Sequence, residues 1–194
     1  MTNWEERYQH GETPWDKGAA HPGLVEFLRH TPVRGTVFVP GCGLGYDVRA
    51  LAATADEVVG LDLAPSAVRS AKAHPVVGGE RYMLGDLFAL PKKMQHAFDW
   101  VFEHTCFCAI PPERRADYAE AVASTLQPGG KLLALFYLNP DMAPDESGPP
   151  FGTTKPELDT LFSPHFSLLA EWHPAATYPG REHRELFRLL ALKE

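Results

Sequence analysis

Short apolar runs recur along the chain, and most of them end on a glycine or an acid. Residues 36–40 (TVFVP) form one such run and stop at the cluster Gly41-Cys42-Gly43-Leu44-Gly45. Residues 57–62 (EVVGLD), 81–86 (RYMLGD) and 98–105 (FDWVFEHT) repeat the pattern, and 131–138 (KLLALFYL) is apolar almost throughout. A run without polar alternation suits a strand buried on both faces. Between these runs the apolar spacing changes to that of an amphipathic helix. Val48, Leu51 and Ala52 mark a helix within 47–55. Pro65 opens another over 65–74, since the first turn of a helix tolerates a residue without an N–H. Tyr118, Ala119, Val122 and Leu126 share one face of a helix that begins near Pro111-Pro112-Glu113 and that Gln127-Pro128-Gly129-Gly130 ends. A helix over 154–163 and strands over 166–173 and 184–192 complete the pattern.

Strand and helix alternate until the last two strands, which follow one another without a helix. Repeated β-α-β units with right-handed crossovers give a parallel sheet covered by helices on both faces. The expected fold is therefore α/β, a mostly parallel seven-stranded sheet with an antiparallel C-terminal hairpin at one edge. Residues 1–30 contain a helix-like piece but no strand, and are expected to pack as an arm over the sheet within a single domain of 1–194.

Composition narrows the partners. The chain has 194 residues and a net charge of −7, which argues against a nucleic-acid binder because phosphates need clustered Lys and Arg. No run reaches the ~18 apolar residues of a membrane span. The first ten residues are polar, with no signal-peptide pattern, so a cytoplasmic protein is expected. Cys42, Cys106 and Cys108 lack zinc-site spacing and read as reduced thiols, and no metal is expected.

Ligands of open parallel sheets bind beyond the carboxyl ends of the strands, where strand order reverses. Those ends carry Gly41 to Gly45, Asp62, Asp86 and the pair Glu103-His104. Asp62 follows Gly41 by 21 residues, close to the ~20-residue spacing at which an acid meets the ribose hydroxyls of a nucleoside. A structural glycine turn with a helix-capping Asp62 fits the same residues. The dinucleotide pattern G-x-G-x-x-G would need glycine where Tyr46 stands, and Asp47 follows where a pyrophosphate would be expected. Acids at several strand ends suit a cationic adenosine cofactor better, and S-adenosyl-L-methionine carries both an ammonium and a sulfonium.

The chain resembles the thiopurine S-methyltransferase superfamily, and within it the halide and thiol methyltransferases. The resemblance rests on W-x-x-x-Y-x-x-G-x-T-P-W-D-x-G (4–18), V-P-G-C-G-x-G-x-D-V (39–48), V-G-L-D (59–62), F-D-W-V-F-E (98–103), F-C-A-I-x-P-E-x-R (107–115), L-Q-P-G-G (126–130) and G-P-P-F (148–151). It implies a Rossmann-like class I methyltransferase fold using S-adenosylmethionine. It implies a cofactor site of Trp4, Tyr8 and Trp15 from the arm, Gly41, Cys42 and Gly43, Asp62 with Leu63, Asp86 with Leu87 at the adenine, and Glu103. Tyr8 stands where family members often have tryptophan, and its electron-rich face still attracts a sulfonium. His104 stands where halide and thiol enzymes have tyrosine, and either acts on the acceptor or its proton or is satisfied by backbone. Arg115 matches a family arginine; it either meets an anionic acceptor or pairs with Glu113 or Asp117 on the helix surface.

The expected reaction is a single in-line methyl transfer to a small soft nucleophile: a thiol, hydrosulfide or halide. Such acceptors need no strong base. Aromatic or heterocyclic thiols are the alternative acceptors, and a non-catalytic cofactor-binding protein is a third reading. The acceptor is expected to be a small molecule and the protein a monomer, with the loop 139–152, Phe136, Tyr137 and Phe151 shaping the acceptor pocket.

Overall fold

A computed structural model describes residues 2–140 and 148–194. Two helices precede the first strand, α1 (Trp4–His10) and α2 (Pro22–His30). There follow β1 (Thr36–Pro40), α3 (Tyr46–Ala52), β2 (Glu57–Asp62), α4 (Pro65–Ala73), β3 (Glu80–Leu84) and β4 (Phe98–His104). The second half is α5 (Arg115–Thr125), β5 (Leu126–Tyr137), α6 (Lys155–Phe162), β6 (Phe166–Trp172) and β7 (Glu185–Leu192).

The strands form one sheet in the order β3-β2-β1-β4-β5-β7-β6. β7 is antiparallel to both β5 and β6, and the other pairings are parallel. The chain thus works outward from β1 to β3, returns to β4 beside β1, and places its switch point between β1 and β4. Among the described residues no helix is long and apolar enough to cross a membrane.

Alternation along each central strand feeds two cores. Phe38, Val101, Leu132 and Phe136 pack with Tyr118, Val122 and Phe162 under α5 and α6. Val37, Val39, Phe102, Leu133 and Leu135 pack with Leu24, Leu28, Val48 and Leu51 under α2 and α3. Because α2 buries Leu24 and Leu28, it is a core helix, and only the segment before it covers the strand ends. That segment is pinned by Glu5, whose carboxylate accepts from the Ser66 backbone N–H at 2.8 Å and the Ser66 hydroxyl at 2.7 Å. Both groups lie in the first turn of α4, where an anion is favoured.

The Gln127-Pro128-Gly129-Gly130 segment departs from the sequence reading. It does end α5, at Thr125, but Leu126 is already extended and pairs with Phe98. The ladder then shifts register and resumes at Trp100 beside Lys131. The turn-forming residues are an irregularity inside β5, with Gly129 at φ 80°. Local turn chemistry yields there to strand pairing on either side.

Candidate active site

The carboxyl end of β1 turns sharply through Gly41, Gly43 and Gly45, all at positive φ. At Gly41 (φ 60°) a Cβ would stand 2.7 Å from Sγ and 2.8 Å from Cβ of Cys106, so only glycine lets this backbone pass under the segment after β4. Asp62 holds the turn from the end of β2. Its Oδ2 accepts from Gly43 N at 2.8 Å and its Oδ1 from Ala64 N at 2.9 Å. The acid therefore both ties the glycine turn and fixes the turn at Ala64 that leads into α4, while each oxygen retains acceptor capacity. Burial pushes its carboxyl up.

Above the switch point lies a cavity of about 390 Å³. Gly41, Asp62 and Leu63 line it from β1 and β2, and Asp86, Leu87 and Phe88 from beyond β3. Asp86 also caps its own turn, accepting from Phe88 N at 2.9 Å. Trp4, Arg7, Tyr8, Trp15 and Lys17 close the arm side. Trp15 Nε1 donates to the Tyr8 hydroxyl at 3.1 Å, and Trp4 meets Trp15 edge-on at 5.4 Å. Arg7 lies 4.6 Å from the Trp15 ring centroid, so these faces already attract a cation. Burial raises the Tyr8 hydroxyl's pKa, keeping it a neutral donor. The opposite wall is formed by Cys106, Cys108, Ile110, Tyr137, the pair Pro149-Pro150 and Arg181. Of the expected acceptor loop, residues 141–147 lie outside the described residues, and Phe136 is in the core.

Five residues expected at the site do not line this cavity, and Gly43 is one of them, bordering only a smaller chamber beside it. Cys42 turns beneath β1, its Sγ filling the space a Cβ on Gly60 would need, and it too borders only that chamber. Glu103 shares the face of Val101 and is buried in the core, away from the cavity. Its Oε1 accepts from Phe107 N at 2.7 Å and its Oε2 from the Tyr118 hydroxyl, and burial raises its carboxyl to about 7. Arg115 is also buried. It donates to Glu157 at 2.6 Å and to the carbonyls of Gly152 and Phe151 at 3.1 and 3.0 Å, so its partner is neither Glu113 nor Asp117. The guanidinium fixes residues 151–152 between α5 and α6 and does not reach the cavity. His104 borders the smaller chamber. Its Nδ1 bonds Asp47 Oδ2 at 2.7 Å, and its buried Nε2 has no hydrogen-bond partner among the described residues. The bond to Asp47 fixes the orientation of the ring.

Arg181, His21 and Glu185 were not singled out by the sequence. The Arg181 side chain is 10% exposed, donates from Nη1 to Glu185 Oε1 at 3.0 Å, and lies 4.7 Å from the Tyr137 ring. Its four-residue spacing to Glu185 was the one visible signal. Glu185 Oε2 accepts from His21 Nε2 at 2.9 Å and from the Thr177 hydroxyl. Against the upward push of burial, the bonds from His21 and Thr177 hold the Glu185 carboxyl at about 2. Ligand atoms of His21, His104 and Glu185 lie within 4.8 Å of one another, as a metal site requires. However, His21 Nδ1 accepts from Gly23 N at 3.1 Å, which puts its proton on Nε2, facing Glu185. The trio is thus joined through an imidazole that presents a proton to Glu185 instead of a lone pair to a cation.

The cavity fits an adenosine-bearing cation, with a bare backbone turn, an acid at each of two strand ends and aromatic faces from the arm. A profile of the family described as Thiopurine S-methyltransferase (TPMT) matches residues 1–185. Thiocyanate methyltransferase 1 of Brassica oleracea is 35% identical over 188 residues, covering 92% of this chain and 81% of the relative. Thiopurine S-methyltransferase of Vibrio atlanticus (strain LGP32) is 30% identical over 178 residues, covering 82% of this chain and 80% of the relative. The solved Burkholderia thailandensis 1,6-didemethyltoxoflavin-N1-methyltransferase, with bound S-adenosylhomocysteine, has a TM-score of 0.76 at 19% identity, covers 97% of this chain and 85% of that one, and shares the fold. The chain belongs to the thiopurine S-methyltransferase family and is an S-adenosylmethionine-dependent methyltransferase.

Proposed function

We propose that the protein methylates a small soft anion: a thiolate, hydrosulfide, thiocyanate or halide. The observation that carries this reading is the nearly buried guanidinium of Arg181 in a wall otherwise built from Cys106, Cys108, Ile110, Tyr137 and Pro149-Pro150. One cation among thiols and apolar groups suits a polarisable anion. The names of the thiocyanate and thiol methyltransferases among the relatives add support.

S-adenosylmethionine, when bound, supplies an electrophilic methyl group on a sulfonium. In our reading Asp62 accepts from the ribose hydroxyls, Asp86, Leu63 and Leu87 hold the adenine, and Gly41 and Gly43 present backbone to the methionine end. Trp4, Tyr8 and Trp15 face the sulfonium and exclude water. Arg181 neutralises the acceptor and orients it. Alignment of this kind supplies about 7–11 kcal/mol of a displacement barrier. A thiol of ordinary pKa is already a few per cent thiolate at pH 7, so no strong base is needed. His104 borders only the smaller chamber, where its Nδ1 is held by Asp47, and no proton transfer from the acceptor is assigned to it. Glu103 and Arg115 act structurally. Donor and acceptor walls come from one chain, so a monomer suffices, which light scattering after gel filtration checks.

The test is turnover on iodide, thiocyanate, hydrosulfide and thiophenol, in the wild type and in Arg181→Met. Efficient turnover of the small anions, with their KM raised at least about tenfold in the variant, supports the reading. Preference for thiophenol with no effect of the substitution would replace it with methylation of aromatic thiols.

A further inference from the structure

We propose that His21 and Glu185 are positioning residues that aim the Arg181 guanidinium at the anionic acceptor, so that the root of the N-terminal arm and the acceptor wall form one unit. The proposal rests on the acceptor role given to Arg181 above.

Three observations carry it. First, the Arg181 guanidinium is fixed by little else: among the described residues its hydrogen bond goes to Glu185 Oε1 at 3.0 Å, and its other contacts are the faces of Tyr137 and Tyr178, at 4.7 and 5.7 Å. Its direction therefore follows the Glu185 carboxylate. Second, that carboxylate is itself oriented from the far side. Glu185 is 1% exposed and begins β7 opposite Tyr137, and its Oε2 is held by His21 Nε2–H and the Thr177 hydroxyl. Third, His21 cannot rotate freely. Its Nδ1 accepts from Gly23 N at 3.1 Å, its backbone N–H donates to Asp47 Oδ1 at 2.8 Å, and its ring is fully buried between His104 and Tyr178. The Tyr178 hydroxyl donates to the Ala19 carbonyl at 2.7 Å, joining the same connector to the arm. A buried carboxylate that loses one donor turns to recover another, so His21 sets Arg181 across two hydrogen bonds. The donor walls, Asp62, Asp86 and the arm aromatics, do not depend on this chain.

His21→Asn keeps an acceptor where Nδ1 caps Gly23 but is too short to reach Glu185. His21→Gln places an amide N–H near the position of Nε2. KM for hydrosulfide and for iodide, kcat, and the Kd of S-adenosylhomocysteine by calorimetry are measured for both, with Glu185→Gln and Arg181→Met alongside. His21→Asn and Glu185→Gln are expected to raise acceptor KM about tenfold or more, with Kd for S-adenosylhomocysteine changed less than about twofold. His21→Gln is expected to recover most of that loss. KM does not depend on the fraction of enzyme folded, so a purely structural role would lower total activity and leave acceptor KM in place. Unchanged acceptor KM in His21→Asn and Glu185→Gln, with a raised KM in Arg181→Met, would overturn the positioning role alone. Unchanged KM in Arg181→Met would overturn the acceptor assignment beneath it.

Discussion

Replacing Gly41 by alanine tests how the floor of the donor site is built. Two penalties can be separated. The residue sits at φ 60°, and a Cβ there costs about 1–2 kcal/mol for an L-residue. The new Cβ would also stand 2.7 and 2.8 Å from Sγ and Cβ of Cys106. Optimal separations of such atoms are about 3.5–4.0 Å, and overpacking of this kind costs about 1–3 kcal/mol. Gly41→Ala should therefore destabilise the protein by about 2–5 kcal/mol. Cys106→Gly removes both clashing atoms, so in that background Gly41→Ala should cost only the backbone part, leaving a coupling of about 1–3 kcal/mol. Urea denaturation of the four proteins at pH 7 measures the cycle. Equal costs of Gly41→Ala in both backgrounds would refute the argument that Cys106 excludes a side chain there. Because both residues line the cavity, Gly41→Ala should also weaken S-adenosylhomocysteine binding in calorimetry.

The other predictions concern charge. Trp15→Leu should weaken S-adenosylmethionine about 2–30-fold and S-adenosylhomocysteine, whose thioether sulfur carries no charge, much less, the cation–π share being about 0.5–2 kcal/mol; equal losses by calorimetry would remove the sulfonium from that aromatic face. Arg115→Met should cost about 1–3 kcal/mol in urea melts, because it removes the donor of the Gly152 and Phe151 carbonyls while Glu157 stays partly in water, yet leave donor affinity unchanged; a selective loss of affinity would return Arg115 to the site. Two buried acids should act oppositely on stability versus pH. Glu185, lowered from 4.5 to about 2, contributes about 3 kcal/mol that is fully present above pH 4.5 and lost as pH falls toward 2. Glu103, raised from 4.5 to about 7, binds its proton more tightly in the folded state, so its contribution is fullest below pH 4.5 and declines as pH rises to 7. Urea melts from pH 4 to 8 should show that decline in the wild type and its loss in Glu103→Gln. A decline persisting in the variant would assign it to another group.

The strands and the donor end of the site were legible because they are written locally. Apolar runs ended on Gly41, Asp62 and Asp86, and the fold brings those ends to one cavity. Position at a strand end did not reveal which way a side chain points. Glu103 and His104 are neighbours, but alternation sends Glu103 with Val101 toward α5 and His104 with Phe102 toward α2 and α3. Arg115 read as a surface or site residue because Glu113 and Asp117 are near in sequence, whereas its partner Glu157 is 42 residues away. His21 and Glu185 are 164 residues apart, and no local period connects them. The connector holding Thr177, Tyr178 and Arg181 carries only turn signals, so the acceptor wall emerged from packing.

The central claim is methyl transfer to a small soft anion, and headspace analysis of purified protein with S-adenosylmethionine and either iodide or hydrosulfide tests it most directly. Methyl iodide or methanethiol should form with saturable dependence on the acceptor and should fall at low acceptor concentration in Arg181→Met. Absence of both products, under conditions where the same protein methylates thiophenol, would contradict the account.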